Sequence, residues 1–208
     1  MTFEVWIAFV AASVALLAIP GPTVLLVVSY ALGCGKSSGW VTVPGVTLGN
    51  FTAMTASLMG AGAVLAASAT AFTILKMVGA AYLVWLGIKL WWAKATMEPL
   101  QEFSKPRPEQ SMFWHSYIFT ALNPKGILFF IAFVPQFVDA STAALPQFVV
   151  LEATFVTLAA INVAIWAILA GSLRARFRHP GALKRVNHVG GSFLIGAGGL
   201  AAATRLNP

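Results

Sequence analysis

Charge is the scarcest property of this sequence. Asp, Glu, Lys and Arg make up 9% of its 208 residues, where a soluble domain carries about a quarter. With 59% of the residues apolar and a mean hydropathy of +0.83, a soluble globule of this size would lack the polar surface to cover itself. The chain therefore reads as an all-α integral membrane protein. At about 20 apolar residues per span, it has room for about six transmembrane helices and none for a separate soluble domain.

Cysteine is scarcer still, with Cys34 standing alone. A single thiol excludes an intramolecular disulfide or dithiol couple. His115, His179 and His188 fall at loop boundaries without metal-ligand spacing, so neither a metal nor another cofactor is expected. No nucleophile-base pair and no phosphate-binding loop is present, which leaves an enzyme without support. The net charge of +7 comes from basic residues scattered over short loops beside apolar runs. That is the pattern of a topology signal, not of a nucleic-acid-binding patch. Met1-Thr2-Phe3-Glu4 has no basic n-region and no small-residue cleavage site, so the first apolar run is expected to be a retained helix.

The apolar runs place spans at about Phe3 to Leu32, Trp40 to Ala66, Ala71 to Trp92, Met112 to Phe137 and Pro146 to Leu173, with a glycine-rich last span ending near Arg205. The long polar segment at about 93–111 divides a single membrane domain, 1–208, into halves at about 1–92 and 112–208. Loops after the first, third and fifth spans hold Lys36, Lys89, Lys94, Lys105, Arg107, Arg174, Arg176, Arg178, Lys184 and Arg185, whereas the opposite side holds only Arg205. By the positive-inside rule both termini face outward. Trp40, Trp91, Trp92 and Trp114 fall at the same cytoplasmic boundary, as an aromatic belt should. Three spans per half is an odd number, so the second half is inverted relative to the first. Pro22 corresponds with Pro124 and Asn50 with Asn162, marking a 3+3 inverted repeat whose first and fourth helices are broken.

Those breaks carry the candidate chemistry. Pro20-Gly21-Pro22 interrupts the first span and Asn123-Pro124-Lys125 the fourth. A proline inside a helix removes one backbone bond and clashes a turn back, at a cost of about 3 kcal/mol. In a membrane the freed groups must be satisfied by protein or by a water-filled cavity. Paired breaks in two halves point to a transport site. Asn is a strong N-cap and Pro is favoured at the first helical position, so Asn123-Pro124 starts a new half-helix near mid-membrane. Its free N–H groups favour an anion such as a carboxylate, and Lys125 adds a full charge; the plainer alternative is a kink with Lys125 bonded to carbonyls. Thr23 is placed to satisfy backbone groups freed at the first break. Asn50 and Asn162 are polar groups on apolar helices, suited to a ligand or to interhelical bonding alone. Gly45 and Gly49 serve close helix packing.

Four residues remain for coupling or gating. Lys76 lies about two turns into the third span, where its stem can snorkel to the outer interface. Glu152 is the one carboxylate clearly within a span, placed either to accept a proton or to sit wet at the interface. Gln136 and Asp139 stand at the outer mouth of the fourth span, where Asp139 caps or gates.

The stretches Pro20-Gly21-Pro22, Leu75 through Gly87, Asn123-Pro124-Lys125 through Pro135-Gln136-Phe137, and Gly190 through Leu194 together resemble the LysE/RhtB family of bacterial amino-acid exporters along nearly the whole chain. The similarity is greatest to the homoserine, homoserine-lactone and threonine branch. The resemblance implies a six-span inner-membrane exporter of small amino acids or derivatives, driven by the proton gradient. It also implies a departure: related members often carry aspartate in spans two or five, where this chain has Asn50 and Asn162, and an asparagine cannot take up a proton.

The reading is thus an alternating-access exporter. The substrate lies near Pro20, Gly21, Pro22, Thr23, Asn50, Asn123, Pro124, Lys125 and Asn162, with Lys76, Gln136, Asp139 and Glu152 for coupling or gating. Its partners are a small amino acid, the proton and the lipid bilayer, and a homo-oligomer is compatible with the sequence. Three alternatives stand beside it. One is a passive amino-acid or ion channel on the same fold. A second is a membrane thiol-electron carrier, which Cys34 alone disfavours. The third is a purely structural subunit.

Overall fold

The computed structural model describes residues 1–18, 21–92 and 108–172, and the regular elements among them are all helical. Thr2 starts the first, α1 (Phe3–Leu17), by accepting the Val5 N–H on its side-chain oxygen at 3.4 Å. The apolar run continues past Leu17, but the helix does not. It resumes as α2 (Pro22–Cys34), whose first residue is the second proline of the break. The two pieces are bent by 52°. Pro20 lies outside the described residues.

Gly35 ends α2 with a φ of 87°, a left-handed conformation that glycine adopts without strain. A short 3-10 turn, Lys36–Ser38, leads into α3 (Gly39–Ala67). After Ser68 the chain reverses into α4 (Ala69–Trp92).

A second broken helix follows. α5 (Glu109–Ala121) stops at Leu122, and α6 (Pro124–Phe133) starts on a proline. The bend between them is 47°. A 3-10 turn, Val134–Phe137, and an exposed connection lead to α7 (Ala144–Ser172). α3, α4 and α7 are each long and apolar enough to cross a membrane, and each bent pair meets the same test as one span, giving five among the described residues. This is a multi-pass, all-helical membrane protein. The expected sixth span, and with it the inverted partner of α4, lies outside the described residues.

α3 is the central post, and two glycines let a neighbour touch it. A Cβ on Gly45 would come within 2.7 Å of the Phe113 carbonyl, and one on Gly49 within 2.8 Å of the Tyr117 carbonyl. α5 therefore packs backbone to backbone on α3, as small residues permit in membranes. The expected packing role of these glycines is what the structure shows. Gly79 does the same for α4 and α6, since a Cβ there would meet the Ala132 carbonyl at 2.6 Å. α7 runs antiparallel to α3: Gly39 meets Ala167 near one end, Val46 packs with Val163, and Gly62 meets Phe148 near the other.

The core is strongly aromatic. Phe9 of α1 packs on Phe133 and Phe137 at ring distances of 5.4 and 5.1 Å, Phe129 stacks on Phe133 at 4.7 Å, and Phe130 meets Phe155 edge-on at 5.1 Å. Such pairs contribute about 0.5–1.5 kcal/mol each beyond area burial. They fill the bundle between the helix breaks and the connection at 138–143.

Candidate functional site

Both helix breaks open onto one cavity of about 160 Å³, close to the roughly 150 Å³ known to hold a benzene-sized ligand. Gly21, Pro22, Thr23 and Val24 reach it from the start of α2, and Asn123 and Gly126 from the start of α6. Asn50 of α3 and Asn162 of α7 complete its polar part. Of the residues expected at a substrate site, six therefore share one wall: Gly21, Pro22, Thr23, Asn50, Asn123 and Asn162. Pro124 is the first residue of α6 beside them. The side chain of Lys125 lies outside the described residues, as does Pro20.

The chemistry of this wall follows from where each helix starts. The first closed turn of α2 is the Leu25 N–H to Gly21 carbonyl bond at 3.0 Å, and that of α6 is the Ile127 N–H to Asn123 carbonyl bond at 3.0 Å. The amides of Thr23 and Val24, and of Lys125 and Gly126, thus have no acceptor within their own helices. Pro22 and Pro124 have no N–H to offer, and Gly21 has no side chain with which to cap α2. Two helix N-termini, each with a partial positive charge, face a single space. Asn162 adds to it: its Nδ2 is buried with no hydrogen-bond partner. Leaving a buried donor unmade costs about 1–3 kcal/mol, so an acceptor brought into the cavity has that much to recover.

The rest of the cavity is apolar. Leu16, Leu17 and Leu86 line it, together with Phe129, Phe130, Phe155, Ala159 and Val163. None of the described lining residues is titratable. The arrangement suits a small molecule with an anionic end and a compact apolar body. Sequence reasoning missed this apolar half, because no pattern in helices apolar all round says which face turns inward.

The residues expected at the outer mouth form a second cluster. Lys76 does not snorkel as its position allowed. It is 6% exposed and turns inward, donating from Nζ to the Val138 carbonyl at 2.9 Å. Its Nζ also lies 5.7 Å from the centre of the Phe72 ring. Gln136 returns the link, donating to the Lys76 carbonyl at 2.8 Å and to the Ala132 carbonyl at 2.9 Å. Gln147 clasps the connection, donating to the carbonyls of Asp139 and Ala143 and accepting the Asp139 N–H at 2.9 Å. Asp139 caps the turn: its Oδ1 accepts the hydroxyl of Ser141 at 2.6 Å and its N–H at 2.9 Å. Those bonds, first from the Ser141 side chain and then from its backbone, hold the Asp139 carboxyl below its ordinary range.

Glu152 is in neither cluster. It accepts the Thr55 hydroxyl at 2.5 Å across α3 and α7. A further tie that the sequence did not disclose joins the two broken helices, with the Tyr30 hydroxyl of α2 2.7 Å from Nδ1 of His115 in α5.

Residues 14–204 match the model of the LysE type translocator family. An uncharacterized membrane protein of Vibrio cholerae serotype O1 is 33% identical over 99% of this chain and 100% of the relative. The homoserine/homoserine lactone efflux protein of Salmonella typhi is 30% identical over 99% of each chain. The leucine efflux protein of Enterobacter sp. is 28% identical over 76% of this chain and 75% of the relative. No solved structure matches the chain.

Proposed function

The chain belongs to the LysE type translocator family, and from that premise we propose that it exports small amino acids or their derivatives across the bacterial inner membrane. Relatives named for homoserine/homoserine lactone efflux and for leucine efflux support substrates of that size. One observation carries the reading: two helix N-termini and an unpaired buried amide face one apolar-walled cavity. The substrate carboxylate meets the amides at the starts of α2 and α6, the Asn162 amide and the charge of Lys125. Its ammonium group meets backbone carbonyls and the side-chain oxygens of Asn50 and Asn162. Its side chain packs on Phe129, Phe130 and Phe155.

Six spans in two inverted halves, with both termini outside, give alternating access to this cavity. The like starts of α2 and α6 on Pro22 and Pro124, and the equal 29-residue lengths of α3 and α7, support that symmetry. Lys76, Gln136 and Asp139 hold the outer mouth shut, and release of the Lys76–Val138 bond opens it. Export is driven by proton antiport.

The test is efflux of radiolabelled homoserine, threonine, leucine and lysine from preloaded cells, comparing wild type with Lys125→Ala. Substrate-selective, uncoupler-sensitive efflux that the variant loses supports the reading. Equal efflux in a normally expressed variant removes Lys125 from the site, and a non-saturable flux indifferent to the gradient makes the cavity a channel.

A further inference from the structure

We propose that Glu152, with Thr55 as its partner, is the proton-binding site of this transporter; the inference rests on the antiport reading above. Among the described residues, Glu4 and Glu109 stand in the first turns of α1 and α5, and Asp139 stands in a connection. Glu152 is the one described carboxylate within a helix interior. Eight residues after the start of α7, it lies about 12 Å along that helix.

Its hydrogen bonding has a feature that proton binding requires. The Thr55 hydroxyl lies 2.5 Å from Glu152 Oε1 and 2.9 Å from the Phe51 carbonyl. A hydroxyl has one proton to donate and lone pairs with which to accept. With Glu152 ionised, Thr55 donates to the carboxylate. With Glu152 protonated, the carboxyl donates to Thr55, which turns its own proton to Phe51. The proton arrives and leaves with the contact intact, so neither state strands a donor in an apolar setting. The surroundings are apolar: an open groove of about 320 Å³ beside Glu152 is lined by Leu58, Met59 and Gly62 of α3 and by Leu145, Phe148 and Val149 of α7. None of these groups is titratable or charged, so none competes for the proton.

The site is also placed to be felt at the cavity. α3 and α7 run antiparallel, and the Thr55–Glu152 contact joins them. From it, Asn50 is five residues away on α3 and Asn162 ten on α7, about 7.5 and 15 Å along the helices. The bond to an ionised acceptor is stronger than that between neutral groups. Protonation therefore loosens the tie between the two helices that carry the cavity's asparagines.

The experiment uses the full chain in proteoliposomes with homoserine and leucine as probes. Two fluxes are read: counterflow exchange at equal pH on both sides, and accumulation driven by a pH gradient. Glu152→Gln should keep counterflow and lose driven accumulation by about tenfold or more. Glu152→Asp should retain both, and Thr55→Val should shift the pH at which driven transport is half-maximal. Driven accumulation at the wild-type level in Glu152→Gln overturns the proposal. Should that variant lose both fluxes, Thr55→Val decides, and an unshifted profile overturns it. Wild-type protein that shows counterflow but no accumulation when a pH gradient is imposed would instead overturn the antiport reading itself, and this proposal with it.

Discussion

At the starts of α2 and α6 the bundle leaves backbone amides without acceptors in their own helices, and at the 138–143 connection it pairs polar groups densely. Around the central cavity, four backbone amides begin helices without partners in their own helix, and the Asn162 amide has no partner. At the 138–143 connection, by contrast, Gln147 is 5% exposed and holds both the N–H and the carbonyl of Asp139, while Lys76 holds the Val138 carbonyl and Gln136 holds the carbonyl of Lys76. Burying a polar group costs free energy unless it is bonded. The cluster at this connection has met that condition within the protein, so its work is to hold elements together. At the cavity the Asn162 amide has not, so it awaits an acceptor from outside. Stability should follow one cluster and ligand affinity the other.

Substitutions can separate the two. The largest effect is expected from Asn162→Leu, which removes the orphaned amide. Substrate affinity should fall about 10- to 100-fold, the equivalent of about 1.4–2.8 kcal/mol, while thermal stability in detergent stays level or rises, since an unmade bond disappears. Binding and unfolding measured on one preparation check both halves. Gln147→Leu should do the reverse, lowering unfolding stability by about 2 kcal/mol with affinity for substrate preserved. Lys76→Met should cost about 1 kcal/mol by the same measure, and under the gating proposed above should raise leak of preloaded substrate. The smallest effect belongs to Asp139. Its carboxyl is held below the ordinary range, so the Ser141 cap is present through neutral and mildly acid pH and is lost only as pH falls through that lowered value. Asp139→Asn should make protease sensitivity of the 138–143 connection indifferent to pH, where wild type becomes more sensitive in acid.

The helices and their breaks were legible in the sequence because prolines and turns act locally. Pro22 and Pro124 each begin a half-helix as a first-position proline should, and Gly45 and Gly49 announced a close helix contact through their size alone. What stayed hidden was rotation about each helix axis. Lys76 sits on a helix apolar on every side, so nothing in its neighbours said that it turns inward to Val138. Thr55 and Glu152 are 97 residues apart, and Tyr30 and His115 are 85 apart; only the packing of whole helices brings them together. The Phe129, Phe130 and Phe155 wall was unreadable for the same reason. The asparagines were singled out as polar exceptions on apolar spans, and they were found on one cavity with both helix starts.

The most direct test of that cavity is calorimetric binding to the purified protein, comparing homoserine and leucine with their carboxamides, which keep shape and ammonium group but lose the anionic end. The account predicts heat of binding for the amino acids and a loss of at least about tenfold in affinity for the carboxamides, since donors at two helix N-termini favour an anion. Equal affinity for both forms would contradict it, because the helix starts at Pro22 and Pro124 and the Asn162 amide would then not be reading a carboxylate.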